Sequence, residues 1–149
     1  MLLKQKIYAA CLQLVETKIE QFRASLLDLT QGALNDSKSS AGDKHETARA
    51  MMQLEYEKIN KQLEEVLFQK NELGKIDITQ KPAQIIKGSL VQTNKGYLFV
   101  SIAIGKIDVE TISVVILSPQ SPLGIKLMGL QVGETATINS TNYTIVSLS

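Results

Sequence analysis

The sequence is poor in the residues that most often build reactive sites. Among its 149 residues there are one cysteine, Cys11, one histidine, His45, and no tryptophan. A single cysteine excludes an internal disulfide and a multi-cysteine zinc site, and a single histidine argues against a His/Cys metal cluster or a histidine-based triad. Aromatic residues make up 5% of the chain, which leaves few side chains on which nucleic-acid bases could stack.

A strong charge of one sign is absent as well. The formal net charge is +1 and the pI is about 7.8, whereas domains held on nucleic acid by net charge are strongly basic. Hydrophobic residues at 44% and charged residues at 21% are typical of a globular chain. The first residues become polar at once, without the apolar run of a signal peptide, so the sequence predicts a cytoplasmic protein with no membrane partner.

The composition changes near Gly74. Before this position glycine occurs only at Gly32 and Gly42 and proline does not occur, whereas all three prolines follow it. Most charged residues lie before residue 82, with acidic and basic types in balance, as on a solvated helical surface. The change predicts a helical first part at residues 1–74, a linker at residues 75–81 and a second domain at residues 82–149.

Two apolar series in the first part have the spacing of a coiled-coil seam. Their members follow one another in steps of three and four residues, and a cluster of turn formers separates the two series. Neither helix can bury its apolar stripe alone, so the pattern predicts an antiparallel coiled-coil hairpin with a polar tip at about residues 36–46. The series are Leu12, Val15, Ile19, Phe22, Leu26, Leu29 and Ala33, then Met52, Tyr56, Ile59, Leu63, Val66 and Leu73.

The second part has short β-type runs, two of which flank a Thr-Asn-Lys-Gly hairpin turn. Ser121-Pro122 opens a short apolar helix that ends near Gly129. The predicted fold class is therefore α+β, a helical hairpin followed by a small antiparallel β-sheet with one short helix across it. The predicted strands are residues 88–92, 97–102, 111–117, 135–139 and 143–148.

The residues that could carry chemistry lie at the tip. Asp43 and Glu46 are three positions apart where the second helix should begin, and Asp36 lies across the turn. Carboxylates at the end of a rigid hairpin could complete the coordination of Mg²⁺, which prefers oxygen ligands and takes others from a partner or substrate. The same spacing fits a capping box, with Asp43 as N-cap and Glu46 at N3. The two roles can coexist because a cap uses only part of each carboxylate.

Basic residues surround these acids. Lys38, Lys44 and Arg49 are either solvated loop charges or contacts to the phosphate backbone of RNA. His45 is expected to be exposed, since acid–base chemistry would need a substrate held beside it. Cys11 is expected to be a small buried group beside the helix seam, with no base to activate it. No catalytic constellation is complete within the chain, which predicts a protein that is not an enzyme by itself.

Two stretches resemble a known family. Residues 121–134, SPLGIKLMGLQVGE, resemble the signature of the bacterial transcript cleavage factors GreA and GreB. In that family an SPLG- or SPIA-like start leads into a short helix, a Gly-x-x-x-Gly turn followed by Asp or Glu, and two closing strands. At the tip, residues 42–48, GDKHETA, are similar to the family's Gly-Asp-Leu-Ser-Glu-Asn-Ala, with both acidic positions matched.

The resemblance implies a coiled-coil hairpin followed by an FKBP-like domain. It implies that RNA polymerase is the partner, with the globular domain on the rim of its secondary channel and the hairpin inserted towards its active centre. Asp43 and Glu46 fall on the acids that help to hold Mg²⁺ jointly with the polymerase, while the free protein binds no cofactor. Ser121 and Pro122 fall on the docking motif. The implied factor is a cytoplasmic monomer that touches nascent RNA indirectly and stimulates the polymerase's own cleavage of backtracked RNA.

Other interpretations stay open. Lys44 and His45 stand where the family usually has Leu and Ser, so the chain could be a Gre-like factor that occupies the channel without stimulating cleavage. From periodicity alone, the hairpin could be a protein-interaction module that pairs with another protein or with itself. A peptidyl-prolyl isomerase is disfavoured, because few aromatic residues are present to line a proline pocket and fold does not determine function.

Overall fold

The computed structural model describes the backbone of residues 2–36 and 43–149, and the side chains of residues 2–32 and 46–149. The chain forms two compact units, one made of Gln13–Lys70 and the other of the residues up to Leu12 together with Asn71–Ser149. The elements in chain order are α1 (Leu3–Asp36), α2 (Asp43–Gly74), β1 (Leu90–Thr93), β2 (Gly96–Val100), β3 (Gly105–Val109), β4 (Ile112–Leu117), α3 (Pro122–Leu127), β5 (Thr135–Ile138) and β6 (Thr141–Leu148).

The unit Gln13–Lys70 is a helical hairpin formed by α1 and α2. The predicted seam is buried at Val15 and Ile19 of α1 and at Ile59, Leu63 and Val66 of α2. Further along the hairpin the predicted positions are less buried: Tyr56 is 41% exposed, and the half-buried ones are Phe22, Leu26, Leu29 and Met52. The predicted series passes over Lys70, and this residue is exposed, with its Nζ 3.7 Å from the Glu16 carboxylate. Ala33, the last predicted seam position of α1, lies outside the described side chains. Of the helices in the described ranges, none has the length and apolar character to cross a lipid bilayer.

The other unit contains a six-stranded sheet with the strand order β3-β4-β2-β1-β6-β5. Four of its neighbouring pairs are antiparallel, as predicted, and β2 with β4 is parallel, with Tyr97 beside Val114 and Val100 beside Leu117. The parallel pair arises because β3 lies between β2 and β4 in sequence and occupies the sheet edge beyond β4. The α+β class and the order of hairpin, sheet and short helix are confirmed.

The strand β3 is not among the predicted strands. Its two-residue turn into β4 consists of Glu110 and Thr111, which lack the Asn-Gly or Asp-Gly signal of a tight hairpin. Glu110 has a φ of 57°, a conformation that residues with a side chain seldom adopt. Its carboxylate forms an ion pair with Lys6, the Oε1 and Nζ atoms being 2.9 Å apart. The turn is therefore supported by a residue distant in sequence, which a local pattern does not reveal.

The two faces of the sheet are buried by different parts of the chain. One face carries Val91, Leu98 and Val100, which form a core with Leu127 of α3. On the opposite face the strand register aligns Leu90 with Phe99 and Phe99 with Ile116, and all three side chains are buried. That second face lies towards the first turns of α1, so the N-terminal helix contributes to the core of the sheet unit.

Polar contacts connect the start of α1 and the end of α2 within the sheet unit. Tyr8 donates a hydrogen bond from its hydroxyl to the Leu73 carbonyl at 2.8 Å. Glu72, at the end of α2, accepts from Lys75 Nζ at 3.1 Å and also from Lys87 Nζ. The first contact therefore joins the two helices to each other. The other two join the end of α2 to Lys75 of the predicted linker and to Lys87 of the predicted second domain. The predicted domain limits, residues 1–74, 75–81 and 82–149, stay a prediction.

The Glu72 contacts give a testable dependence of stability on pH. The hydrogen bond from Lys87, followed by that from Lys75, lowers the pKa of the Glu72 carboxyl below its usual value. A carboxyl group whose pKa is lowered by folding adds to the free energy of unfolding. This contribution is present in full above the pKa of the unfolded state, about 4.3, and is lost as pH falls through the pKa of the folded state. We expect Glu72→Gln to be less stable than the parent at neutral pH, with the difference narrowing in acid, as measured by urea unfolding.

A matched control is Glu64→Gln, which removes an exposed carboxylate from α2. This variant should differ from the parent by the same small amount at every pH. A constant difference for Glu72→Gln as well would show that the Lys87 contact contributes no pH-dependent stability.

Candidate functional site

The candidate tip site lies at the start of α2. The helix begins at Asp43, as predicted, and Glu46 lies in its first turn with an exposed side chain. The two residues are three positions apart on one helix, which is slightly less than one helical turn along the backbone. The Asp43 side chain lies outside the described residues, so its role as N-cap stays a prediction.

Two carboxylates at this spacing can supply only part of a metal site. Carboxylate oxygens are hard ligands of the type that Mg²⁺ takes, and Mg²⁺ commonly binds one or two carboxylates while other ligands complete its shell. Within residues 2–36 and 43–149, as far as side chains are described, no group of three or more His, Cys, Asp or Glu residues could hold a metal ion. That absence covers Glu46 and does not extend to the side chains of Asp36, Asp43 and His45.

Of the predicted basic contacts, Arg49 is the one with a described side chain. It is exposed, one turn further along α2 than Glu46, and lines a hollow of about 310 Å³ in the helical hairpin. Lys38 and the side chains of Lys44 and His45 lie outside the described residues. The hollow is lined by Leu29, Thr30, Arg49, Met52, Gln53 and Tyr56.

Ser121 has a clear structural role at the start of α3. Its Oγ accepts a hydrogen bond from the Gly124 backbone N–H at 3.0 Å and donates one to the Ser118 carbonyl at 2.7 Å. Pro122 occupies the first turn of the helix, where its missing N–H is not needed. The Ser-Pro pair predicted from the sequence therefore caps α3, and the Ser121 side chain is partly buried by that role.

Several residues in and after α3 are more exposed than Ser121, and most of them are apolar. Pro122 is exposed, Ile125 is 65% exposed and Val132 is 57% exposed. Lys126, also exposed, adds one positive charge to the helix. Exposed apolar side chains such as these are common on protein surfaces. We refer to Pro122, Ile125, Lys126 and Val132 as the α3 surface.

Cys11 is buried, as predicted, with no exposed surface. Burial raises the pKa of the Cys11 thiol to about 12. Since the thiolate is the reactive form, this cysteine is inert at neutral pH.

Gly124, the glycine of the SPLG stretch, has a specific role in the structure that the sequence analysis did not identify. A Cβ at this position would lie 2.1 Å from the Ser118 carbonyl oxygen and 2.9 Å from Ser121 Oγ. The capping loop therefore packs directly against the glycine backbone, and α3 is positioned by this close approach. The SPLG spacing was the available signal, since it places a glycine three residues after the cap.

No family model matches the chain, and a search of curated proteins finds no match. Among solved structures, the crystal structure of GreA factor homolog 1 of Thermus thermophilus is similar over 95% of this chain and 94% of that chain. The sequence identity is 15% and the TM-score is 0.34. A likeness at this level carries no argument about function, which must rest on the residues of this chain.

The close packing at Gly124 predicts a marked loss of stability in Gly124→Ala. The added methyl group would overlap the Ser118 carbonyl, and the strain of overpacking costs about 1–3 kcal/mol. Urea unfolding followed by circular dichroism would measure this change.

Gly32→Ala is the control, because Gly32 lies inside α1 and a Cβ there meets nothing within 4 Å. Alanine in place of a helix-interior glycine should stabilise by roughly 0.5–1 kcal/mol. If Gly124→Ala were as stable as the parent, the capping loop would have to move freely, contrary to the packing described.

Proposed function

We propose that this protein is a transcription factor that binds RNA polymerase and presents the acidic start of α2 to its active centre. The observation that carries the proposal is the position of Asp43 and Glu46. They lie at the start of a 32-residue helix, distant in sequence from the sheet unit, within a stretch that resembles the tip of transcript cleavage factors. The protein would act as a cytoplasmic accessory factor and not as an enzyme by itself.

The proposed chemistry needs oxygen ligands and a partner that supplies the others. Asp43 and Glu46 would hold Mg²⁺ jointly with the polymerase, and the ion would stabilise the attacking and leaving oxygens as the RNA is cut. The hairpin would contribute by tethering, because a carboxylate held near the site has a high effective concentration for a weakly bound ion. The side chain of Glu46 is exposed, so a partner could reach its carboxylate.

Basic residues beside the acids would contact RNA. Arg49 is exposed one turn along α2 from Glu46, so its guanidinium could reach a phosphate bound near the acids. Lys38 and Lys44 flank the same acids in sequence and would serve the same purpose. These contacts would position the RNA without reading its sequence.

Docking would use the α3 surface. Ser121 is engaged in its cap, so the contact falls on its exposed neighbours, Pro122 and Ile125. A few residues near the centre of an interface commonly provide most of its binding energy, and Ile125 is the candidate on this surface. The protein would thus hold the polymerase through the sheet unit and act through the hairpin.

The tip acids can be tested without disturbing a helix cap. Asparagine is as good an N-cap as aspartate, and glutamine can replace glutamate in a capping box. We expect Asp43→Asn and Glu46→Gln to lower stimulated transcript cleavage in a backtracked polymerase complex by about tenfold or more, since each removes a charged metal ligand. Binding to the polymerase, measured separately, should be retained.

The control variant is Glu55→Gln, which removes an exposed carboxylate further along α2. It should cleave like the parent. If Asp43→Asn and Glu46→Gln stimulated transcript cleavage as well as the parent does, the role of the two residues would be limited to capping the helix. Binding without any stimulated cleavage would favour a channel-occupying regulator, in keeping with Lys44 and His45 between the acids. A protein that does not bind polymerase and forms a dimer in ultracentrifugation would favour an interaction module.

A second test concerns docking through the α3 surface. Ile125→Glu places a charge on an exposed side chain, so folding should be unaffected while polymerase binding weakens by about fivefold or more. The control is Val146→Glu on β6, where the parent side chain is 53% exposed. Equal affinities for the two variants would remove the α3 surface from the interface.

A further inference from the structure

The sheet unit contains a cavity of about 370 Å³ that the proposed function does not use. Its floor is the sheet face where β6, β1 and β2 run side by side, with Leu90, Gln92 and Tyr97 among the lining residues. The first turn of α1 and the segment at residues 78–81 form its walls. The volume lies in the lower part of the range found for small-molecule sites.

Lys4 lines this cavity and is 7% exposed, which is rare for a lysine. Its Nζ donates one hydrogen bond, to the Gln80 carbonyl at 3.1 Å. An ammonium group has three N–H donors, so donor capacity remains. Among the residues that the structure describes, no carboxylate lies within salt-bridge distance of Nζ.

The surroundings of Lys4 disfavour its charge. Burial lowers the pKa of the Lys4 amine, and the Asp77 carboxylate acts in the opposite direction with a smaller effect. Asp77 is itself engaged by the Thr79 backbone N–H at 2.9 Å. Buried charges in proteins are normally paired, because an isolated charge loses its hydration without compensation. A ligand anion would supply the missing counter-charge.

The remaining lining residues separate into an apolar and a polar group. Leu2, Leu90 and Ile78 offer hydrocarbon surface, whereas Gln92 and Ser147 are polar and hydrogen-bonded to each other at 3.1 Å. Lys81, exposed beside the cavity, adds a positive charge that would attract an anion from solution. The cavity therefore combines one buried cation with a lining that is partly apolar and partly polar.

We propose that this cavity binds a small amphiphilic monocarboxylate, with its carboxylate on Lys4 Nζ and its hydrocarbon part against Leu90 and Ile78. A single buried ammonium matches a single negative charge, whereas a dianion would bring a second charge into the cavity without a buried partner. This site is separate from Asp43, Glu46 and the α3 surface, so it stands independently of the proposed transcription function.

The test uses the full chain with octanoate as the carboxylate and 1-octanol as its neutral counterpart, measured by isothermal titration calorimetry. Octanoate should bind about tenfold more tightly than 1-octanol, because a charge-assisted hydrogen bond is added. In Lys4→Met the affinity for octanoate should fall to that for 1-octanol, which should itself be unchanged. Lys126→Met, at an exposed lysine of α3, should behave as the parent.

A second measurement covers the case in which Lys4→Met does not fold. In the parent protein, a bound carboxylate should raise the pKa of Lys4, as followed by the ¹³Cε chemical shift with and without saturating octanoate. An unchanged Lys4 titration, equal affinities for octanoate and 1-octanol, or no binding of either would overturn the proposal.

Discussion

The mutual burial of two apolar helix stripes is the constraint on which the helical part of the molecule depends. Val15 and Ile19 of α1 and Ile59, Leu63 and Val66 of α2 are buried in a unit that has no sheet to cover them. A single long helix in water gains little from propensity, and tertiary packing of its apolar face supplies most of its stability. The hairpin is therefore stabilised by these buried side chains, while other large apolar residues of the same unit, among them Met51, Leu54 and Phe68, stay exposed.

The sheet unit also contains the start of α1, up to Leu12, and the end of α2, from Asn71. Ile7 and Leu73 have no exposed surface, and the Tyr8 hydroxyl bonds the Leu73 carbonyl within this unit. The start of α1 thus helps to bury the sheet face opposite α3. Because the cavity beside Lys4 lies at this junction of α1 with the sheet, its lining combines the first helical turn with strands more than 80 residues away in sequence.

The sequence alone predicts the features that repeat along the chain or that have a local signal. The seam spacing predicted both helices, and Ser121-Pro122 predicted α3, because caps and apolar periods are local properties. The strand β3 and the parallel pairing of β2 with β4 were not predictable in this way. The β3–β4 turn rests on Glu110, held by Lys6 from α1, and the pairing depends on where β3 is placed. Similarly, Lys4 looks like a surface residue in sequence, and its burial follows from tertiary packing.

The exposure of Glu46 bears on how the tip could act. Two carboxylates in water hold a divalent ion weakly, because the high dielectric of the solvent reduces their attraction and both remain hydrated. The same pair becomes far more effective when a partner excludes water and adds ligands, since electrostatic interactions strengthen in a closed site. An exposed carboxylate in the first turn of α2 is thus suited to chemistry that begins on docking. The buried Lys4 is the opposite case, a charge that has lost most of its solvent exposure before any ligand arrives.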